Sequence, residues 1–534
     1  MLSAKNRDLW YRFRNRLMRF VYNEHFGIAW RALQRTRFLE RFFNRLLVNT
    51  GVNVIGARPY RLSTKLDFTS WDTLTDRTYN ARELPPPPGD RRSSPDAQIV
   101  VGLFERNEFI ECPKSTVFFA YVAQWFTDGF LRSDRSVHTD GRRDIRRNES
   151  SHEVDLAQVY GLTSAITDML TDRADRALLA HQVVNGEEYP PNLFDANGER
   201  VEQFKDLQVI GLDQPGVDKS ELLAMGSDTS NTQIGYAMIN TLMLREHNRI
   251  AREIRQANPA WQPERLFAAA RNVLNVVLIK VLIEDYIRHI SPYHFVFKFD
   301  PQGFERSKWH RPNWVAVEFN ILYRWHSLIP PTFHIDGQDV DLQQTTMYRT
   351  KSLLTARGLG PLFEDASNQA AGKICLRNTG DPLLWRAELP TIEEARDARL
   401  RNFNDYLTRY SFPRARSYSD ITADAEIVAA LEKTYGPNVD DVEFYVGLFA
   451  ADIPKYSMLS PLMERMLAIH AFSQLMTHPL LAPQVYNAET FSAVGLKMIE
   501  ETSTFKQVVD RNVPPGSPDY FVSLTRAGWR RGQQ

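Results

Sequence analysis

The sequence predicts a mainly α protein: one large helical domain with few short strands, preceded by amphipathic N-terminal helices. Three observations carry this. Apolar residues recur at spacings of three and four over long stretches, as on one face of a helix. Strand signals are short and sparse, and no alternation of strand with helix marks a parallel sheet. No internal repeat period is visible, which argues against a solenoid or propeller.

The 534 residues are ample for a large buried core. Lys plus Arg and Asp plus Glu both total 65, so global charge gives no reason to expect a nucleic-acid partner. The first fifty residues nevertheless hold eleven basic and three acidic side chains, so the basic excess lies entirely at the front. Two cysteines, Cys112 and Cys375, cannot build a disulfide framework and suit a reducing compartment. The opening residues lack the apolar core of a signal peptide, and no apolar run of about 20 residues is expected to span a bilayer. The expected location is cytoplasmic, with peripheral attachment to the inner face of a membrane as an option.

Residues 1–60 read as a basic amphipathic segment. Trp10, Phe13, Leu17 and Phe20, then Phe38, Phe42, Phe43 and Leu46, alternate with Arg12, Arg16, Arg19, Arg35, Arg41 and Arg45. Such helices either lie in a membrane interface or pack on their own domain with a solvated basic face, and the pattern does not choose. Residues 61–110 read as a linker and loop, centred on Ser70–Gln98 with its run Pro85–Pro88. Residues 111–534 form the expected helical domain.

Within it, Thr116–Leu131 is an apolar helical stretch with Gln124 and Asp128 four residues apart, hence on one face. The pair is either functional or, since Asp128-Gly129 can end a helix, a terminating turn. Ile234–Gln256 is a long helix carrying Arg245, Glu246, His247, Asn248 and Arg249, which reads as a solvated face. Leu266–Ile290 is a strongly apolar helix, and Pro330–Leu342 the best hairpin candidate. Between these two lies Val317–Pro330, VEFNILYRWHSLIP, where Tyr323 and His326 have helical i, i+3 spacing. The residues alone allow two readings: a core His beside a core Tyr, or a metal-ligating His beside an oxidisable phenol.

Several stretches in order resemble the animal haem peroxidase superfamily and, within it, the cyclooxygenase and fatty-acid dioxygenase branch. They are SWDTLTDRTYNARELPPPP, FFAYVAQWFTDGF, HEVDLAQVYG, NGEEYPP, LREHNRIAREI, IEDYIRHISPYHFVFKFDP, VEFNILYRWHSLIP, LRNFNDYLTRY and LEKTYGPNVDDVEFYVGLF. The resemblance implies haem b held through iron by His326. It implies Asn320 as a second partner near that ligand, Gln124 on the opposite side of the haem, and Tyr323 as the radical-forming tyrosine. Trp325 and Glu318 also match. Tyr293 matches a channel tyrosine expected to hydrogen-bond Tyr323, and Ala471 falls where cyclooxygenases carry the serine acetylated by aspirin.

Departures bear on chemistry. Asp128 stands where the family has its distal His, so either a carboxylate replaces the imidazole base or peroxidase turnover is weakened. A third reading makes Asp128 a calcium ligand, but calcium is not expected, since the matching loop His152–Gly161 keeps Asp155 and has Ala157 where a hydroxyl ligand is wanted. Gly51 falls where cyclooxygenases hold the fatty-acid carboxylate with Arg, leaving Arg45 or Arg58 as substitutes. The cysteine-rich module of the animal enzymes is absent, as in a compact bacterial-type relative. The resemblance thus implies an oxidoreductase oxygenating fatty acids with O2 through a Tyr323 radical, with a homodimer allowed. Two alternatives stay open: a peroxidase or peroxygenase on small substrates with Asp128 as base, and a non-catalytic haem-binding, membrane-associated protein.

Overall fold

The computed structural model describes residues 4–55, 78–88, 94–133, 146–312, 314–380 and 382–529. Helices carry the architecture, and among these residues the strands form three two-stranded antiparallel pairs. One is the expected hairpin, Phe333–Ile335 against Gln338–Val340. Its turn residues Asp336 and Gly337 both take positive φ, 54° and 70°, the left-handed geometry that Asp-Gly supplies in a two-residue hairpin.

The centre is built on two long helices, Ile234–Ala257 and Pro263–Val281, packed on each other and on Ala488–Glu501. The second continues through a π-turn at Leu282–Tyr286 to Ile290. Over Pro263–Ile290 it is long and apolar enough to cross a membrane, contrary to the expectation that no such run exists, but most of it is buried inside the domain. An apolar surface all round is what a helix surrounded by protein requires.

The polar run on Ile234–Ala257 is not solvated. Arg245, Glu246, His247 and Asn248 are all buried. Each bonds to a segment distant in sequence: Arg245 donates to Glu187 at 2.6 Å, Glu246 accepts from Arg511 and Asn512 at 2.7 Å each, His247 meets the Tyr160 hydroxyl at 2.8 Å, and Asn248 accepts from the Leu179 amide at 2.8 Å. Burial alone would raise the Glu246 carboxyl, but Arg249 and Arg511 outweigh it and hold it below the usual carboxylate range. Helical spacing reports polarity, and these partners lie in loops and a C-terminal helix that spacing does not register.

The N-terminal segment forms three helices, Ala4–Arg19, Gly27–Leu33 and Arg37–Val52. Two side-chain amides fasten it to the strand-like stretch 294–300. Gln34 exchanges hydrogen bonds with the backbone of Val296 at 2.8 and 3.0 Å, and Asn44 does the same with Lys298 at 2.9 and 3.0 Å. The Pro-rich segment is docked where a linker was expected. Asn80, Ala81, Arg82 and Glu83 are buried, and Ala81 pairs with Val315 and Val317. Arg401 and Arg399 donate to the carbonyls of Pro85 and Pro87 at 2.8 and 2.9 Å. Polyproline backbone has no internal hydrogen bonds, so its carbonyls are available to such donors. Ser70–Arg77 and Gly89–Ser93 of the expected linker lie outside the described residues.

Two consequences are measurable. Gly372 faces Ser327 so closely that a Cβ there would stand 2.0 Å from the Ser327 carbonyl oxygen. Gly372→Ala should cost about 2 kcal/mol through overpacking, seen as a lower Tm, and should disturb the adjoining turn at His326. Buried histidines set an acid limit. Burial holds His247 down to about 3 and His478 down to about 4, against 6.5 when free. Below about pH 6.5 these histidines, with His289 which burial also holds down, take up protons in the unfolded chain only, and each lowers stability by up to about 1.4 kcal/mol per pH unit. The fall is partly offset by Glu318 and Asp285, which burial raises to about 7 and about 6. Urea unfolding midpoints should drop between about pH 7 and pH 5; a flat profile would contradict this.

Candidate functional site

Tyr323 and His326 are not on one helix. The helix Val317–Leu322 ends at Tyr323, the Trp325 amide bonds back to the Tyr323 carbonyl at 2.9 Å, and a 3-10 turn starts at His326. The i, i+3 alignment expected from the spacing is thereby broken, and the two side chains enter different surroundings.

His326 Nδ1 lies 3.1 Å from a carboxylate oxygen of Glu388, which is fully buried. That carboxylate also accepts from Thr379 at 3.0 Å and from the Tyr445 hydroxyl at 2.6 Å. A carboxylate so engaged accepts the Nδ1 proton, which leaves Nε2 as the ring nitrogen with a lone pair. Nε2 has no hydrogen-bond partner among the described residues, and the side chain is 20% exposed. Asn320, expected beside the ligand, is committed elsewhere: it donates to Ser133 at 2.9 Å and accepts from Arg324 at 3.1 Å. Glu388 holds the position expected for Asn320.

Tyr323 is enclosed by aromatic rings. Trp325 packs at 4.5 Å between centroids and Phe319 stands edge-on at 5.2 Å. Its hydroxyl partner is Tyr286, on the π-turn, and not Tyr293. Neither hydroxyl closes a hydrogen bond of ordinary geometry. Burial pushes both phenols well above their usual range, so Tyr323 stays protonated and can lose an electron only together with its proton. Tyr293 is directed instead at Glu464.

Behind Phe319, Glu318 anchors the Tyr323 helix. It accepts from the Glu83 amide at 3.1 Å and from the Tyr406 hydroxyl at 2.8 Å, and burial beside Glu83 pushes it up to about 7. His470 stacks on Phe319 at 4.6 Å and meets Glu83 at 3.2 Å.

Gln124 is the exposed residue of an otherwise buried helix, Val117–Thr127, which ends at Asp128 as a turn, one of the two readings open from sequence. Gln124 accepts from Gln233 at 3.0 Å. Asp128 accepts from Thr229 at 2.9 Å and stands near buried Arg132, whose charged form it supports after Asp228. Asp155 caps its own loop, accepting from Ser151 at 2.7 Å and from the Ala157 amide at 3.0 Å.

An apolar cavity of about 240 Å³ lies between the N-terminal helices and the helix Pro461–Met476. Tyr293 and Gly51 line it, while Trp325 and Ala471 are outside its wall, so only Tyr293 of the expected channel residues faces it. Arg45 is no spare cation, since Asp300 binds it bidentately at 2.6 and 3.1 Å. Arg58 lies outside the described residues.

The sequence profile described as animal haem peroxidase matches residues 108–519. The chain belongs to the animal haem peroxidase family. Bovine prostaglandin G/H synthase 2 is 30% identical over 504 residues, covering 92% of this chain and 79% of its own. Mouse prostaglandin G/H synthase 1 is 30% identical over 527 residues, covering 95% and 83%. Among solved structures, fatty acid alpha-dioxygenase from Oryza sativa with palmitic acid superposes with TM-score 0.70 at 16% identity over 99% of this chain and 98% of that one. Peroxidase A from Dictyostelium discoideum gives TM-score 0.66 at 17% identity over 88% and 100%. The structural likenesses establish a shared fold.

As a haem peroxidase family member, the chain is an oxidoreductase. Its residues fit the cofactor: His326 offers an accessible, unpartnered Nε2 fixed by a buried anion. Glu388, Tyr445 and Tyr286 were not singled out from sequence. Tyr286 and Tyr445 sit inside motifs that carry the resemblance, so a signal existed for them. Removing the Glu388 carboxylate by Glu388→Ala should weaken haem binding about 10- to 100-fold, with Glu388→Gln less affected. Haem titration followed at the Soret band checks this, and equal affinity in Glu388→Ala would show that the carboxylate does not set the ligand.

Proposed function

We propose that the protein is a haem-dependent oxygenase of fatty acids that works through a radical on Tyr323. The observation that carries the reading is the placement of Tyr323, buried among aromatic rings three residues before His326, with Tyr286 at its hydroxyl. The family relationship supports it, as do relatives named prostaglandin G/H synthase and a similarly folded fatty acid alpha-dioxygenase.

Haem b, when bound through His326 and charged by a hydroperoxide, supplies the one-electron oxidising power. Glu388 holds the His326 ring in one tautomer and one orientation. Tyr323 gives up an electron and its hydroxyl proton. The resulting phenoxyl takes a hydrogen atom from the lipid chain, restoring Tyr323, O2 adds to the carbon radical, and the peroxyl radical takes a hydrogen atom back from Tyr323, which yields the hydroperoxide and the phenoxyl again. The rings of Trp325 and Phe319 keep water from the phenoxyl. Asp128 serves poorly as a peroxidase base, because Thr229 and Arg132 already engage its carboxylate.

The N-terminal helices support lipid access from a membrane surface. Of sixteen large hydrophobic residues exposed among those described, eleven lie between Leu9 and Leu46. Leu9, Phe13, Ile28 and Phe38 are each more than 60% exposed, and an apolar patch rimmed by arginine suits an interface with anionic headgroups.

Tyr323→Phe should bind haem normally and lose lipid oxygenation. Oxygen consumption with a fatty-acid panel and a trace of hydroperoxide measures this, and undiminished uptake in the variant would sink the mechanism.

A further inference from the structure

Behind the Phe319 ring, three titratable side chains that the radical mechanism leaves unused are buried together. Glu83 comes from the docked Pro-rich segment, Glu318 from the helix Val317–Leu322 and His470 from the helix Pro461–Met476, and each is at most 2% exposed. Glu83 faces cations: His470 Nε2 lies 3.2 Å and the Arg409 guanidinium 3.7 Å from its carboxylate oxygens. Glu318 is served on one oxygen only. Its Oε1 accepts from the Glu83 amide at 3.1 Å and from the Tyr406 hydroxyl at 2.8 Å, whereas its Oε2 is buried without a hydrogen-bond partner among the described residues.

That asymmetry fixes which acid holds a proton. Glu83, with two cations at hand, is the anion. An ionised Glu318 would set a second negative charge beside it, with half of the carboxylate lacking a donor in a dry interior. A proton on Oε2 removes both costs. Burial and then the Glu83 charge raise the Glu318 carboxyl to about 7, against the opposing pull of Tyr406 and buried Arg82. Tyr410 stands 3.4 Å from His470 Nε2 and completes the group. The two other helices packed on Val317–Leu322, Pro382–Asp397 and Phe444–Ala450, turn their titratable groups elsewhere: Glu388 and Tyr445 toward His326, and Glu394 toward Arg324 and Ser133. The cluster reaches the phenol by two routes. Glu318 precedes Phe319 in the chain, and His470, paired with Glu83, stacks on Phe319 at 4.6 Å and 20°. Phe319 in turn stands edge-on to Tyr323 at 5.2 Å.

We propose that Glu318, Glu83 and His470 are positioning residues for Tyr323: a single proton held by the two carboxyls keeps Phe319 seated against the phenol, and its loss to solvent unseats the ring. The catalytic meaning of that seat rests on the oxygenase reading, but the shared proton does not. With the proton gone, Glu318 and Glu83 repel one another, and His470 follows Glu83 away from the Phe319 face. The dry shell that keeps Tyr323 neutral is then opened from behind.

The test is an infrared titration of the haem-loaded full chain between about pH 5 and pH 9, with near-ultraviolet circular dichroism of the aromatic shell read in parallel. In the wild type a protonated-carboxyl C=O band should vanish with a midpoint at about 7, and the dichroism should change with the same midpoint. Glu318→Gln, neutral and of the same shape, should lack that band and keep the acid-side dichroism throughout. A band that persists in Glu318→Gln, or dichroism that still titrates there, overturns the proposal. Tyr406→Phe covers the case of a misfolded Glu318 variant: losing one donor to the carboxylate should move the midpoint up by at least about half a pH unit, and an unmoved midpoint counts against the cluster. Oxygen uptake with fatty acid should fall about tenfold per pH unit above the midpoint in the wild type and stay level in Glu318→Gln. Level uptake in the wild type overturns the positioning role. No uptake at any pH sinks the oxygenase reading and leaves the two spectral titrations standing, since neither depends on turnover.

Discussion

Everything distinctive about the site depends on the helix Val317–Leu322 stopping where it does. Had it continued, Tyr323 and His326 would share one face and one environment. Its termination at Tyr323, with the tight turn through Trp325, sends the phenol into a dry aromatic shell and the imidazole toward a buried carboxylate. Under the proposed mechanism the two groups need opposite surroundings. A phenol that must stay neutral until oxidised is served by low polarity, and a ligand that must be a strong electron donor is served by a fixed negative charge. A one-residue break in a helix separates these conditions over three residues of chain.

The same economy recurs in the scaffold. Buried charges are placed on rigid helices and satisfied by segments far away in sequence, so each acts as a staple. Glu246 ties the central helix to Arg511 and Asn512, and Glu318 ties the Tyr323 helix to the backbone of Glu83 and to Tyr406. Isolated, such carboxyls would be costly to bury; with several donors they specify which segments meet. The Pro-rich stretch and the N-terminal helices are held by the same device, arginines on proline carbonyls and paired amides on a bare backbone edge.

What could be read from the chain in advance follows from this. Motifs local in sequence were legible: the helical character and the hairpin, with the stop at Asp128 as one of two readings. Relations between remote residues were not. Glu388 lies 62 positions from His326, in a helix whose pattern shows nothing of the ring it faces. Tyr293 was expected to face Tyr323, but the π-turn at Leu282–Tyr286 re-aims the chain so that Tyr286 does so. Arg245 to Asn248 looked like a solvated face because periodicity detects polarity and not its partners.

The hydrogen bond between Arg465 and Asn15 joins residues 450 positions apart. A chain emerging from the ribosome in order exposes the first helix long before the helix that completes the cavity exists. For most of synthesis the greasy, arginine-rich front therefore has no protein surface on which to settle. The cavity closes only once the helix Pro461–Met476 has been made, so it is among the last features to assemble. Until it does, the exposed front must be kept from other hydrophobic surfaces, whether by a chaperone or by the membrane itself.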